Sequence, residues 1–213
     1  MGERSLQGAE VGDIRAASPM SPATARPGVA LTLTAGLLAF VALPWNAIGG
    51  QGFLAFRWLG SYPSEARVAP AVFQLAQHGR LWFVPLLVAL TVPLRAGTSA
   101  TSDRDASRLL IAGGTLGIAT IVAIALAIDI GGWTWAPLAS LFGELPKRQP
   151  GLGVGALVFA TASLLLLCQG LALRGWVKGD AFVAGAIGLA VALVGVFTAY
   201  PVTRLFLRAF VDG

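Results

Sequence analysis

The chain predicts an all-α membrane protein with about five transmembrane helices and short amphipathic helices in its two outer loops. Three observations carry that prediction. Hydrophobic residues make up 56% of the sequence and charged residues only 12%, whereas a soluble domain needs roughly a quarter charged residues to cover its surface. The mean hydropathy is +0.76. The apolar residues are gathered into five runs rather than spread in an amphipathic pattern, and a run of about 20 residues is what a helix needs to cross a bilayer.

The elements follow in order. Residues 1–27, "MGERSLQGAEVGDIRAASPMSPATARP", are polar and rich in Ser, Ala and Pro, with Glu3, Glu10 and Asp13 set among arginines. A secretory signal has a short basic start followed at once by an apolar core, so this segment is expected to be a disordered cytoplasmic tail. Residues 28–180 form a membrane region of four helices. Its spans are expected over 28–48, over 80–96 with prolines at 85 and 93, over 108–130 and over 152–174. Proline is tolerated in a membrane helix where neighbours satisfy the freed carbonyl. Residues 181–213 supply the fifth helix, which runs through Pro201 towards Arg204 and Arg208.

The six tryptophans flank these spans. Trp45 closes the first, Trp82 opens the second, Trp133 and Trp135 follow the third, and Trp176 follows the fourth, with Trp58 in the first long loop. They are expected to be interface anchors, because an aromatic ring with a polar edge settles at the headgroup level. Within the long loops, 69–79 and 135–143 read as short amphipathic helices lying in the interface.

An odd number of spans puts the two ends on opposite sides. Arg4, Arg15, Arg26, Arg95, Arg104, Arg108, Arg174 and Lys178 fall on the tail's side. Arg57, Arg67, Arg80, Lys147, Arg148, Arg204 and Arg208 fall on the other. That is almost no overall bias. The short loops beside the spans favour a cytoplasmic N-terminus.

Residues that carry chemistry are few. The net charge of +5 comes with no long basic run, which speaks against nucleic acid as a partner. His78 and Cys168 are single, so no ligand set for a metal is expected, and a lone cysteine in an apolar run reads as a small buried residue. Asp129 is the one acid inside an apolar span. Its place just before Gly131-Gly132-Trp133 favours a solvated helix end, with an ion pair to another helix or an intramembrane polar role as the alternatives. "GLGVGA" (151–156) lacks the spacing and the preceding strand of a dinucleotide loop. Gly151 and Gly155, like Gly113 and Gly117, have the small-xxx-small spacing that lets helices approach closely. No nucleophile is paired with a base, so neither catalysis nor a cofactor is expected.

Several stretches resemble a known family. "LPWNAIGGQGFLAFRWL", "YPSEARVAPAVFQLAQHGRLWFVPLLVAL", "GGWTWAPLASLFGELPKRQPGLGVGAL" and "RGWVKGDAFVAGAIGLAVALVGVFTAYPVTRLFLRAF" are similar to the N-terminal region of fused-type bacterial ABC-importer permeases of the iron(III), binding-protein-dependent kind. The resemblance covers nearly everything from about residue 28 onward. In such permeases a segment like "YPVTRLFLRAF" belongs to the first helix of the transport core, with Ala209-Phe210 where Ser-Phe is common.

The resemblance implies a scaffold in the bacterial inner membrane. It also implies a cytoplasmic ATPase subunit and a periplasmic binding protein as partners, and ferric iron or another small solute as cargo. The family's coupling loop, with Glu-Ala-Ala and a glycine, does not occur within these 213 residues, and no Walker motif is present. The second expectation is an accessory, structural subunit of a larger membrane complex. A membrane enzyme or small channel would need several polar groups at mid-membrane, and only Asp129 and Gln169 come close.

Overall fold

The computed structural model describes residues 27–49, 52–98, 102–146, 148–176 and 181–211. The expected tail over 1–27 lies outside these residues, apart from Pro27. Among the described residues there are seven α-helices: α1 Pro27–Ala42, α2 Ala71–Ala76, α3 Val84–Thr98, α4 Asp103–Ala127, α5 Ala136–Phe142, α6 Val154–Leu173 and α7 Ala181–Val211. Three stretches, Asp103–Ala127, Val154–Leu173 and Val183–Phe206, are long and apolar enough to cross a membrane. Pro27–Ala42 and Leu81–Ala96 are shorter apolar helices.

Local chemistry explains the helix limits. Ser102 caps α4, its hydroxyl accepting the Asp105 amide at 3.2 Å and donating to the Asp105 carboxylate at 2.7 Å. Asp103 and Asp105 in the first turn also face the positive end of the helix dipole. Helix α4 ends where Ile128 turns extended and pairs, in a two-residue hairpin of β1 (Ile128–Asp129) and β2 (Gly132–Trp133), with Trp133. The first expected span is shorter than its apolar run. Helix α1 stops at Ala42, and residues 44–47 form an extended strap along the start of α6. Ala47 donates to the Gly151 carbonyl at 2.7 Å, Gly153 to Trp45 at 2.8 Å and Gly155 to Pro44 at 2.9 Å. Pro44 cannot continue an α-helix without losing a backbone bond.

In α3 the two prolines behave differently. Pro85 occupies the first turn, where the missing amide costs nothing. Pro93 lies inside the helix and is fully buried, and its ring fills the notch left by Gly113 of α4.

Helices α4 and α6 form the centre, with α3 against α4 and with α1 and α7 against α6. The contact between α4 and α6 is close because small residues line it. A Cβ on Gly114 would sit 2.6 Å from the Ser163 carbonyl, and Ser107 donates across the seam to the Gly170 carbonyl at 2.8 Å. Buried hydroxyls elsewhere are satisfied within their own helices, as Thr32 is by Gly28 and Thr120 by Leu116, both at 2.8 Å. That leaves no unpaired hydroxyl at these points, which an apolar interior would penalise.

Candidate functional site

At one end of the bundle the described residues of 43–83 and 128–153 form a cap, to which α7 is joined through Arg204. The cap is built on Trp45. This indole is 1% exposed and packs edge-on to Phe83 at 5.3 Å and Phe159 at 5.7 Å. Trp45 therefore belongs to the core rather than to the interface belt expected of it, because its strap folds back under the loop. Around it, Asn46 donates to the Ala66 carbonyl at 2.9 Å, and the fully buried Gln74 donates to Ala66 and Ala69. Tyr62 donates to the last carbonyl of α1, Ala42, at 2.9 Å, and burial pushes its phenol above the ordinary range. Helix α2 is thus docked into the bundle end, whereas α5 keeps no buried residue and leaves Leu141 72% exposed.

The other tryptophans divide. Trp82, Trp133 and Phe142 form a ring cluster with centroids 5.1–5.7 Å apart, and the Trp133 indole N–H donates to Gly143 at 2.8 Å. Trp58 stacks on Phe53 at 5.3 Å. Trp135 and Trp176 are exposed, Trp176 at the opposite end beneath Arg174.

The glycines also divide. Gly113 and Gly117 share one spacing but serve two neighbours. A Cβ on Gly113 would strike the Pro93 ring and come within 2.8 Å of the Ala89 carbonyl on α3, and one on Gly117 would strike Ser163 of α6. A Cβ on Gly155 would lie 2.8 Å from the Pro44 carbonyl and 2.9 Å from that of Leu43. Gly151 is not a packing residue: it faces open space, and the close approach falls instead on Gly153, against the backbone of Asn46.

Asp129 sits at the foot of α4 beside Arg204 of α7, at 3.9 Å. The guanidinium also donates to the carbonyls of Leu126 at 3.4 Å and Ile128 at 3.2 Å. A cation there meets the negative end of the α4 dipole. This is the ion pair with another helix that the sequence left open. The pair is partly shielded, with side-chain exposures of 19% for Arg204 and 33% for Asp129. Gln169 lies near the other end, donating to Thr32 at 3.0 Å. His78 is exposed on the turn after α2 and Cys168 is buried against α7.

Between the cap loops lies a cavity of about 270 Å³, lined by Asn46, Glu65, Ala66, Arg67, Arg80, Pro146, Arg148, Gln149 and Pro150. Arg80 is half-buried over the Trp82 ring at 5.8 Å, and burial lowers its pKa. In the sequence alone these arginines count only as topology charges. Arg67, Arg80 and Arg148 are too far apart in the chain to form a motif, and only the folding of the two loops against each other brings them together.

Comparison with protein-family models, with curated proteins and with solved structures finds no match to this chain.

Proposed function

We propose that the chain is a multi-pass membrane scaffold, and that it does its work as the N-terminal part of an ABC-type import permease without catalysis of its own. In this reading α1 and α3 are short spans that join α4, α6 and α7 to give five, and the cap faces the periplasm. Ferric iron or another small solute would be the cargo, moved by alternating access driven from separate ATPase subunits. The observation that carries the scaffold reading is α7. Only 11% of its apolar stretch is buried, against 39% in α6, and it touches the rest of the molecule chiefly along α6 and through Arg204. Such a helix offers most of its surface to lipid or to another membrane subunit. The likeness of "YPVTRLFLRAF" to the first helix of a permease core supports an import permease as that setting.

A second reading, an accessory subunit of a different membrane complex, rests on the same α7 surface, which suits any membrane partner as well as a permease core. Purification in mild detergent, with intact mass and identification of bound subunits, separates the two. An ATPase subunit and further permease sequence in the complex support the import reading. Membrane partners unrelated to transport overturn it in favour of the accessory role, and a chain that stays monomeric with lipid alone overturns both.

A further inference from the structure

We propose that the cavity between Arg67, Arg80 and Arg148 binds a phosphate-type oxyanion. The inference stands apart from the permease reading and uses only the cap. Three arginines are among the residues lining the cavity, against one acidic residue, Glu65. Among the described residues none of the three makes a hydrogen bond or ion pair through its side chain within the chain. Arg80 is the telling member, because a half-buried guanidinium without an anion is costly, and contact with the Trp82 face offsets only part of that.

Arg148 adds an independent observation. Its backbone φ is +66°, a left-handed conformation that favours glycine or asparagine over a long side chain. The conformation is held by Ile130, whose carbonyl accepts the amides of Arg148 at 2.9 Å and Gln149 at 3.0 Å. Backbone strain of this kind concentrates at functional sites, and here it belongs to a residue lining the cavity beside Arg67 and Arg80.

The donor set points to the ligand class. A guanidinium presents a planar fork suited to two oxygens. A carboxylate has only two oxygens to share among three forks, whereas a phosphate can meet more than one. The volume of about 270 Å³ is several times the roughly 30 Å³ share of one water. It lies just below the range of about 300–1,000 Å³ typical of whole small-molecule pockets. It therefore suits a phosphate with its near substituent rather than a large molecule. The same chemistry could come from an anionic phospholipid headgroup or from a soluble phosphate compound.

The test uses the full chain in maltoside detergent, which carries no phosphate. Inorganic phosphate at constant ionic strength is one probe. A short-chain phosphatidylglycerol, compared with the matching diacylglycerol, is the other. Binding is read as added mass in native mass spectrometry and as a rise in unfolding temperature. We expect one probe to bind, and Arg80→Gln and Arg148→Gln each to weaken it about tenfold or more, the loss typical of a charged hydrogen-bond partner. Arg57→Gln, an exposed arginine outside the cavity, should leave binding unchanged. A response to inorganic phosphate assigns a soluble ligand, and a response to phosphatidylglycerol alone assigns a headgroup. Should Arg80→Gln fail to fold, Arg148→Gln decides, since that side chain is exposed and removing its charge leaves the core intact. The proposal is overturned if neither probe binds the wild type, or if Arg57→Gln loses as much as the cavity variants.

Discussion

At the scale of single residues, identical chemistry has opposite consequences according to what stands opposite. Gly113 and Gly151 both belong to small-xxx-small pairs. Gly113 faces a proline ring and a backbone carbonyl, neither of which can move aside cheaply, whereas Gly151 faces open space. Gly113→Leu should therefore lower stability by about 1–3 kcal/mol, the usual cost of overpacking. Gly151→Ala should stay within about 0.5 kcal/mol, as surface changes do. Thermal unfolding of the two variants in maltoside checks this, and equal midpoints would contradict the packing assigned to α3 and α4. Trp45 makes the same point from the aromatic side. Its indole fills the junction between Phe83 and Phe159, so Trp45→Ala should cost about 3–5 kcal/mol, while Trp176→Ala, on a residue 72% exposed, should cost little. A Trp45 anchored at the lipid headgroups would instead give two similar, small losses.

At the scale of elements, α7 is the piece whose attachment can be tested by itself. Arg204 donates to the carbonyl end of α4 and pairs with Asp129. A cation at a helix C-terminus contributes up to about 2 kcal/mol in partly buried geometry, and the exposure of this pair places the expected loss nearer 1 kcal/mol. Arg204→Gln should accordingly raise hydrogen exchange at the C-terminal end of α7 and around Ile128–Asp129 while leaving the α4–α6 seam protected. Uniform exchange along α7 in both proteins would show that Arg204 fastens nothing.

The five apolar helices were legible in the sequence as apolar runs, but only three of them, in α4, α6 and α7, are long and apolar enough to cross a membrane. The short helices over 71–76 and 136–142 were legible as well, inside the stretches expected to form them. What the runs could not tell was where a helix stops inside apolar sequence. Residues 43–48, "LPWNAI", continue the apolar run of α1 with Leu43, Trp45, Ala47 and Ile48, yet Pro44 turns them into a strap. Nor could local pattern show that Arg67, Arg80 and Arg148 converge, since that depends on two loops meeting in space.

At the scale of the whole molecule, the arrangement makes a claim about sidedness that holds whether or not a permease surrounds it. Helix α4 runs from Asp103 to Ala127 and α6 returns from Val154 to Leu173, with Ser107 bonded to Gly170 near one end and Gly117 against Ser163 further along. The two are antiparallel neighbours. At about 1.5 Å per residue they are long enough for a hydrocarbon core of about 30 Å. Arg104 at the start of α4 and Glu144 in the cap, both exposed, must then lie on opposite faces of the membrane. The single native thiol, Cys168, is buried and should contribute little labelling. In intact cells, Arg104→Cys should resist a membrane-impermeant maleimide and Glu144→Cys should react, if the N-terminus is cytoplasmic as the short loops favour. The reverse pattern would keep the bundle and invert its orientation. Equal reactivity at both positions would mean that α4 does not cross the bilayer, and neither the five-span arrangement nor a periplasmic cap could then stand.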